Sequence, residues 1–97
     1  MAKGYWVTAY RSISDPDKLA AYGKLAGPAI TEAGGQFLIR GGQLTVHEAG
    51  LAERTVVIEF PSYEAALAAH ETDGYQAALV ALDGGAERDL RIVEGVD

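Results

Sequence analysis

Two histidines, an Arg-Gly-Gly run and a group of large aromatic residues are the side chains of this 97-residue chain with the means to do chemistry. His47 and His70 are the side chains whose ordinary titration falls near neutrality. With Tyr22 they are the candidates for moving protons in a catalytic site. Each histidine also has a plainer reading. His47 lies in Thr45-Val46-His47-Glu48-Ala49-Gly50, which carries only one histidine of a zinc-protease pair and reads as strand. His70 closes a helical turn, where the negative end of the helix dipole accounts for it. A metal site would need both histidines to converge with a carboxylate, and no metal is expected. Arg40, beside Gly41-Gly42, either holds a ligand carboxylate in a two-pronged grip or pairs with an acid such as Glu48 or Glu59. The glycines do not make a phosphate loop, because no helix follows them at the required spacing. Trp6, Tyr10, Tyr22 and Tyr75 either wall a cleft for a small ligand or fill the core and a dimer seam. Glu94 is a base if its carboxylate is buried and otherwise a solvated strand end. The chain has no cysteine, which excludes disulfides and thiol nucleophiles.

The elements that must position these residues are legible from their punctuation. Residues 4–11 are aromatic and β-branched and predict a first strand. Asp15-Pro16-Asp17 then caps and starts a helix, with Leu19, Tyr22, Ala26, Ile30 and Ala33 forming its apolar stripe. Pro28 interrupts its hydrogen bonding and predicts a kink, and Gly34-Gly35 stops it. A second strand is expected from Gln36 to Glu48, broken by a bulge or sharp bend at Gly41-Gly42. The third runs from Arg54 to Phe60. Pro61-Ser62 opens a second helix, which pauses near Thr72 and restarts through a capping box of Asp73 and Gln76. Gly84-Gly85 ends it, and Arg88 to Glu94 gives the fourth strand. The order predicts one α+β domain over residues 1–97: a ferredoxin-like βαββαβ sandwich, with two helices on one face of a four-stranded antiparallel sheet.

That architecture leaves a face uncovered. In the third strand Val56, Ile58 and Phe60 alternate with Thr55, Val57 and Glu59, and the more apolar set is expected to face the helices. The first strand sets Tyr5, Val7 and Ala9 against Trp6, Thr8 and Tyr10, with neither side clearly polar. Each large side chain left wet forgoes roughly 1.5–3 kcal/mol. A homodimer through the open sheet face is the expected cover, and a monomer with a moderately amphipathic sheet is the alternative.

Net charge is −6, from 14 acidic and 8 basic residues. That balance argues against nucleic acid and anionic membrane as partners. No apolar run reaches membrane-spanning or signal-peptide character, and a cytoplasmic location is the expectation.

The blocks Lys3-Gly4-Tyr5-Trp6, Phe37 to Gly42, Arg54 to Leu67, Gly74 to Ala78 and Arg91 to Gly95 resemble domain-of-unknown-function family 1330. The resemblance covers nearly the whole chain and implies a ferredoxin-like fold of the dimeric α+β barrel superfamily. It implies no particular activity. Family members commonly carry a tyrosine where this chain has His70, and many have a basic residue near Leu82 that is absent here.

Three functions fit these readings. The first is a cofactor-free enzyme acting on a small organic molecule between helices and sheet, with His70, Tyr22 or His47 moving protons and Arg40, Trp6 and Tyr75 holding the ligand. The second is a binding module that uses the same pocket without proton transfer and leaves both histidines outside it. The third is a structural dimer with a filled interior.

Overall fold

The computed structural model describes residues 2–97. Its elements are β1 (Gly4–Ile13), α1 (Pro16–Glu32), β2 (Gln36–Arg40), β3 (Thr55–Phe60), α2 (Tyr63–His70), α3 (Asp73–Leu82) and β4 (Ala86–Glu94). The strands lie in the order β2-β3-β1-β4, every neighbouring pair antiparallel. This is the ferredoxin-like arrangement that the order of elements predicts.

Local chemistry starts each helix where expected. Asp15 Oδ1 accepts hydrogen bonds from the amides of Asp17 and Lys18 at 3.1 and 3.2 Å, and Pro16 occupies the first turn of α1. The helix carries on through Pro28. Ser62 Oγ accepts from the Ala65 amide at 3.0 Å and starts α2. The joint between α2 and α3 differs from the expected capping box. Thr72, not Asp73, is the cap: its hydroxyl accepts from the Tyr75 amide and donates to the Ala69 carbonyl. The Gln76 amide group reaches back to the His70 carbonyl at 2.7 Å. A β-hydroxyl satisfies both helix ends at once, which an aspartate at the next position cannot do.

Trp6, Thr8 and Tyr10 of β1 and Val56, Ile58 and Phe60 of β3 are all buried under the helices, so the more apolar set does face inward. The register sets Trp6 beside Ile58 and Thr8 beside Val56. Trp6, Phe60 and Tyr75 are the largest fully buried side chains, and the Trp6 indole donates to the Ala66 carbonyl at 2.8 Å.

The second strand is shorter than its sequence pattern suggests. It ends at Arg40, because Gly41 and Gly42 adopt φ of +76° and +97° and turn the chain out of the sheet. The strand-like alternation of Leu44 and Val46 therefore finds no partner strand among the described residues, and both side chains are exposed. The glycines thus supply the sharp bend expected of them, and a bulge lies earlier in the strand. Phe37 pairs with Ile58, Ile39 with Val57 and Arg40 with Val56, so one extra residue is inserted around Leu38. A one-residue slip exchanges the faces of a strand. Here it places Arg40, rather than Ile39, in register with inward-facing Val56.

Among the described residues no helix is long and apolar enough to cross a membrane.

Candidate functional site

A cavity of about 320 Å3 lies between α1 and the sheet. Its sheet side is Trp6, Thr8, Tyr10, Val56 and Ile58, and its helix side includes Tyr22, Ala26 and Ile30. The space exists because α1 presents Gly23 and Gly27, one turn apart, to the cavity. A Cβ on Gly23 would meet nothing within 4 Å, and one on Gly27 would meet Arg40 Nη2 at 3.2 Å. Each glycine costs the helix about 1 kcal/mol relative to alanine, so helix stability does not explain their presence.

One end of the cavity is charged. Arg54 continues the inward row Val56, Ile58, Phe60, and Arg88 continues the inward row Leu90, Ile92. Tyr10 sits between them: it pairs with Arg88, and its amide donates to the Arg54 carbonyl at 2.9 Å. The register slip in β2 adds Arg40 at the same end. The inward rows of three strands thus finish in arginine.

The three guanidinium groups are seated on rings and glycines rather than on acids. Arg40 stacks over Phe37, 4.1 Å from the ring centre. Arg88 lies over Tyr22 at 4.8 Å and donates to its hydroxyl at 3.0 Å. Arg54 passes where a side chain at Gly41 would stand, since a Cβ there would fall 2.7 Å from Arg54 Nη1. Among the described residues none of the three has a carboxylate within ion-pair distance. Elsewhere four of the five other Lys and Arg side chains find acids: Lys3 pairs with Glu59 at 3.0 Å, Lys18 with Asp83 at 2.9 Å and Arg91 with Asp89 at 3.1 Å, while Arg11 reaches Glu87 and Asp89. Glu59, one acid proposed for Arg40, is occupied by Lys3 and Tyr5.

Tyr22 and Tyr75 share a hydroxyl–hydroxyl bond of 2.8 Å, and Tyr75 is fully buried behind it. Burial, reinforced by Tyr75, pushes the Tyr22 hydroxyl well above its ordinary pKa; Arg88 opposes the rise without cancelling it. Burial also disfavours charge on Arg88, but the oxygens of Tyr22 and Tyr75 outweigh this and it stays a cation. The shift on Tyr22 has a sign that can be tested. The folded state retains this proton after the unfolded chain has lost it, so the group's contribution is complete below about pH 10 and declines as pH rises further. Thermal melts between about pH 9 and about pH 11 are expected to fall less for Tyr22→Phe than for the wild type. Equal slopes would contradict the burial argument.

Of the residues singled out in the sequence, Tyr22, Arg40 and Trp6 line the cavity, and Tyr75 supports it through Tyr22. His70 is not part of the lining: its ring packs against Trp6 and Tyr75, and Nδ1 bonds Glu71 at 2.8 Å. His47 is exposed on the segment after β2, outside the lining. Glu94 is exposed at the end of β4. Among the described residues no three potential metal ligands cluster.

A family model for a domain of unknown function, DUF1330, matches residues 3–96. The chain belongs to the DUF1330 family. No match is found among curated proteins. Among solved structures, this DUF1330 chain is similar to a protein of unknown function from Rhodopseudomonas palustris, 18% identical over 99% of this chain and 84% of that one, with a TM-score of 0.73. A candidate antibiotic biosynthesis monooxygenase from Caulobacter crescentus is 19% identical over 99% and 91% of the two chains, TM-score 0.60. A dimeric ferredoxin-like protein of unknown function from Thermobifida fusca is 15% identical over 98% and 92%, TM-score 0.56. At these identities the likeness concerns the fold.

Sequence reasoning passed over Arg54, Arg88, Gly23 and Gly27 in this DUF1330 chain. A signal was present for the arginines: each stands at an inward position of an apolar alternation, where a solvated cation has no reason to be. The two helical glycines, spaced by four, carried a weaker one.

Proposed function

We propose that this DUF1330 chain is a homodimeric binding module for a small organic molecule, held in the cavity under α1. The observation that carries this reading is the cavity itself, kept open by two glycines in a helix that would be more stable without them. Its volume lies at the small end of the roughly 300–1,000 Å3 typical of ligand pockets, and its walls are aromatic and aliphatic with a few polar groups. The described lining contains no histidine and no carboxylate. That favours binding over an enzyme that abstracts protons near neutral pH.

A catalytic reading has one specific observation behind it. The Arg88–Tyr22–Tyr75 chain presents a neutral hydroxyl backed by a cation, which could stabilise charge developing on a ligand oxygen. Mass spectrometry of recovered ligand separates the two readings, since binding alone returns it unaltered.

The dimer is supported by the open face of the sheet. Ile39 and Val93 are 46% and 49% exposed there, and Tyr5, Val7 and Val57 are only partly covered. Leu44, Val46 and Leu51 of the segment after β2 add further exposed apolar surface. The dimeric Thermobifida fusca protein shares the fold. Sedimentation at micromolar concentration is expected to give twice 10.2 kDa, and a single species at 10.2 kDa would remove the dimer from the proposal.

A thermal-shift screen of small organic acids, phenols and ketones tests the pocket. A ligand present at about one hundred times its Kd adds about 2.7 kcal/mol, which for a domain of this size raises Tm on the order of 10 °C. A screen in which nothing shifts the melt would overturn the binding role.

A further inference from the structure

We infer that the ligand of this cavity is an amphipathic organic monocarboxylate, its carboxylate at the Tyr10 end among Arg40, Arg54 and Arg88 and its apolar body along the row of Phe37, Ile58 and Trp6. This rests on the cavity being a ligand site and adds the ligand's chemical class and orientation.

Three observations carry it. The first is charge. The chain has net charge −6, yet three of its eight basic side chains meet at one end of one cavity, with no carboxylate in ion-pair distance among the described residues. Fourteen carboxylates were there to be used, and four other cations do use them. Arg54 and Arg88 are partly buried and Arg40 is exposed; guanidinium groups without an acid keep strong donors free, and an incoming anion satisfies them. The second is accommodation. Gly27 clears the space beside Arg40 and Gly41 the space beside Arg54, so the guanidinium groups are admitted to these places by missing side chains.

The third is polarity along the sheet. The Arg54–Tyr10–Arg88 row gives way to the Arg40–Val56–Thr8 row and then to the apolar Phe37–Ile58–Trp6 row. Four strand residues separate the first row from the last, about 13 Å at roughly 3.3 Å per residue. A carboxylate joined to one ring or a short alkyl chain matches that gradient, whereas a small inorganic anion would leave the apolar part unused. Tyr22 completes the polar end. Its oxygen accepts from Arg88, and when Tyr75 donates to it as well, its own hydrogen is available to a carboxylate oxygen.

The test uses matched pairs on the full chain: benzoate with benzamide, phenylpropanoate with phenylpropanamide, octanoate with octanamide, and inorganic phosphate alone. Thermal shift and calorimetric titration are expected to show at least one carboxylate binding at least tenfold more tightly than its amide, with phosphate weaker than that carboxylate. Arg88→Gln is expected to weaken the carboxylate roughly ten- to hundredfold, in line with the loss of a charge-assisted hydrogen bond. Arg40→Gln, on an exposed residue, repeats the measurement where loss of folding is not a concern. Amides that bind as well as acids would overturn the carboxylate while leaving the pocket a small-molecule site. Phosphate binding as tightly as the best acid would overturn the amphipathic orientation. Carboxylate affinity unchanged in both arginine variants would overturn the clamp. If neither acids nor amides bind, this inference and the pocket reading fail together.

Discussion

Trp6→Ala is expected to destabilise the fold by about 3–5 kcal/mol, the usual range for truncating a large buried aromatic. Against a typical total of about 5–15 kcal/mol, that removes a large part of the margin and leaves a marginal protein. The geometry places the effect at the upper end. Trp6 is 1% exposed, and its ring lies 5.2 Å from Phe60, 4.8 Å from Tyr75 and 5.8 Å from His70. Its indole also satisfies the Ala66 carbonyl at the centre of α2, which would be left without that donor. The same ring forms part of the cavity wall, so β1, α2, α3 and the pocket all refer to one side chain. Urea denaturation followed by circular dichroism is the measurement, because the variant lacks the chain's single tryptophan and with it the fluorescent probe. His70→Ala serves as the contrast: its side chain is 31% exposed and its removal is expected to cost much less. A loss below about 1 kcal/mol for Trp6→Ala would show that the aromatic cluster does not hold the helices to the sheet.

The position of His70 also shows what a sequence can and cannot reveal about a site. Its ionisable ring drew attention as a proton carrier, but its neighbours are the edges of Trp6 and Tyr75 and the carboxylate of Glu71. Residue type was visible; direction was not. The fold was more legible, because its signals are local. Asp15 and Ser62 cap the helices they were expected to cap, and the alternation of Val56, Ile58 and Phe60 assigned the inward face of β3. The end of β2 was not legible, because Leu44 and Val46 alternate like a strand and only the lack of a pairing strand among the described residues says otherwise. Arg40 illustrates the harder case. Strict alternation from Phe37 would send it outward, and a single inserted residue brings it to the cavity. The convergence of Arg40, Arg54 and Arg88 depends on strand order and register, which are properties of the assembled sheet. Arg54 and Arg88 each show in their own strand only as a cation at an inward position, and nothing in any one strand says that they meet each other and Arg40.

Filling the cavity should separate binding from folding. Gly23→Leu is expected to abolish the ligand-induced rise in Tm while leaving the unliganded protein as stable as the wild type or slightly more so. The argument for stability has two parts. Glycine is about 0.8–1.0 kcal/mol worse than alanine in a helix interior and leucine is among the good helix formers, so the backbone gains from the change. A Cβ at this position meets nothing within 4 Å, so the new side chain begins in open space and extends into the cavity rather than into packed atoms. The argument for lost binding is volume: a cavity of about 320 Å3 has little room to share with a leucine and still hold a ligand beneath α1. Gly27→Leu would not test the same thing, since its first side-chain atom already presses on Arg40 and would displace a group proposed to hold the ligand. Gly23→Ala makes the series quantitative. It shares the helix gain but occupies only the first step into the cavity, so it should keep most of the ligand response that the leucine variant loses. Thermal melts of the three proteins, with and without the tightest acid from the matched pairs, give the readout. A Gly23→Leu protein that melts normally and still binds that acid with undiminished affinity would place the ligand somewhere other than under α1.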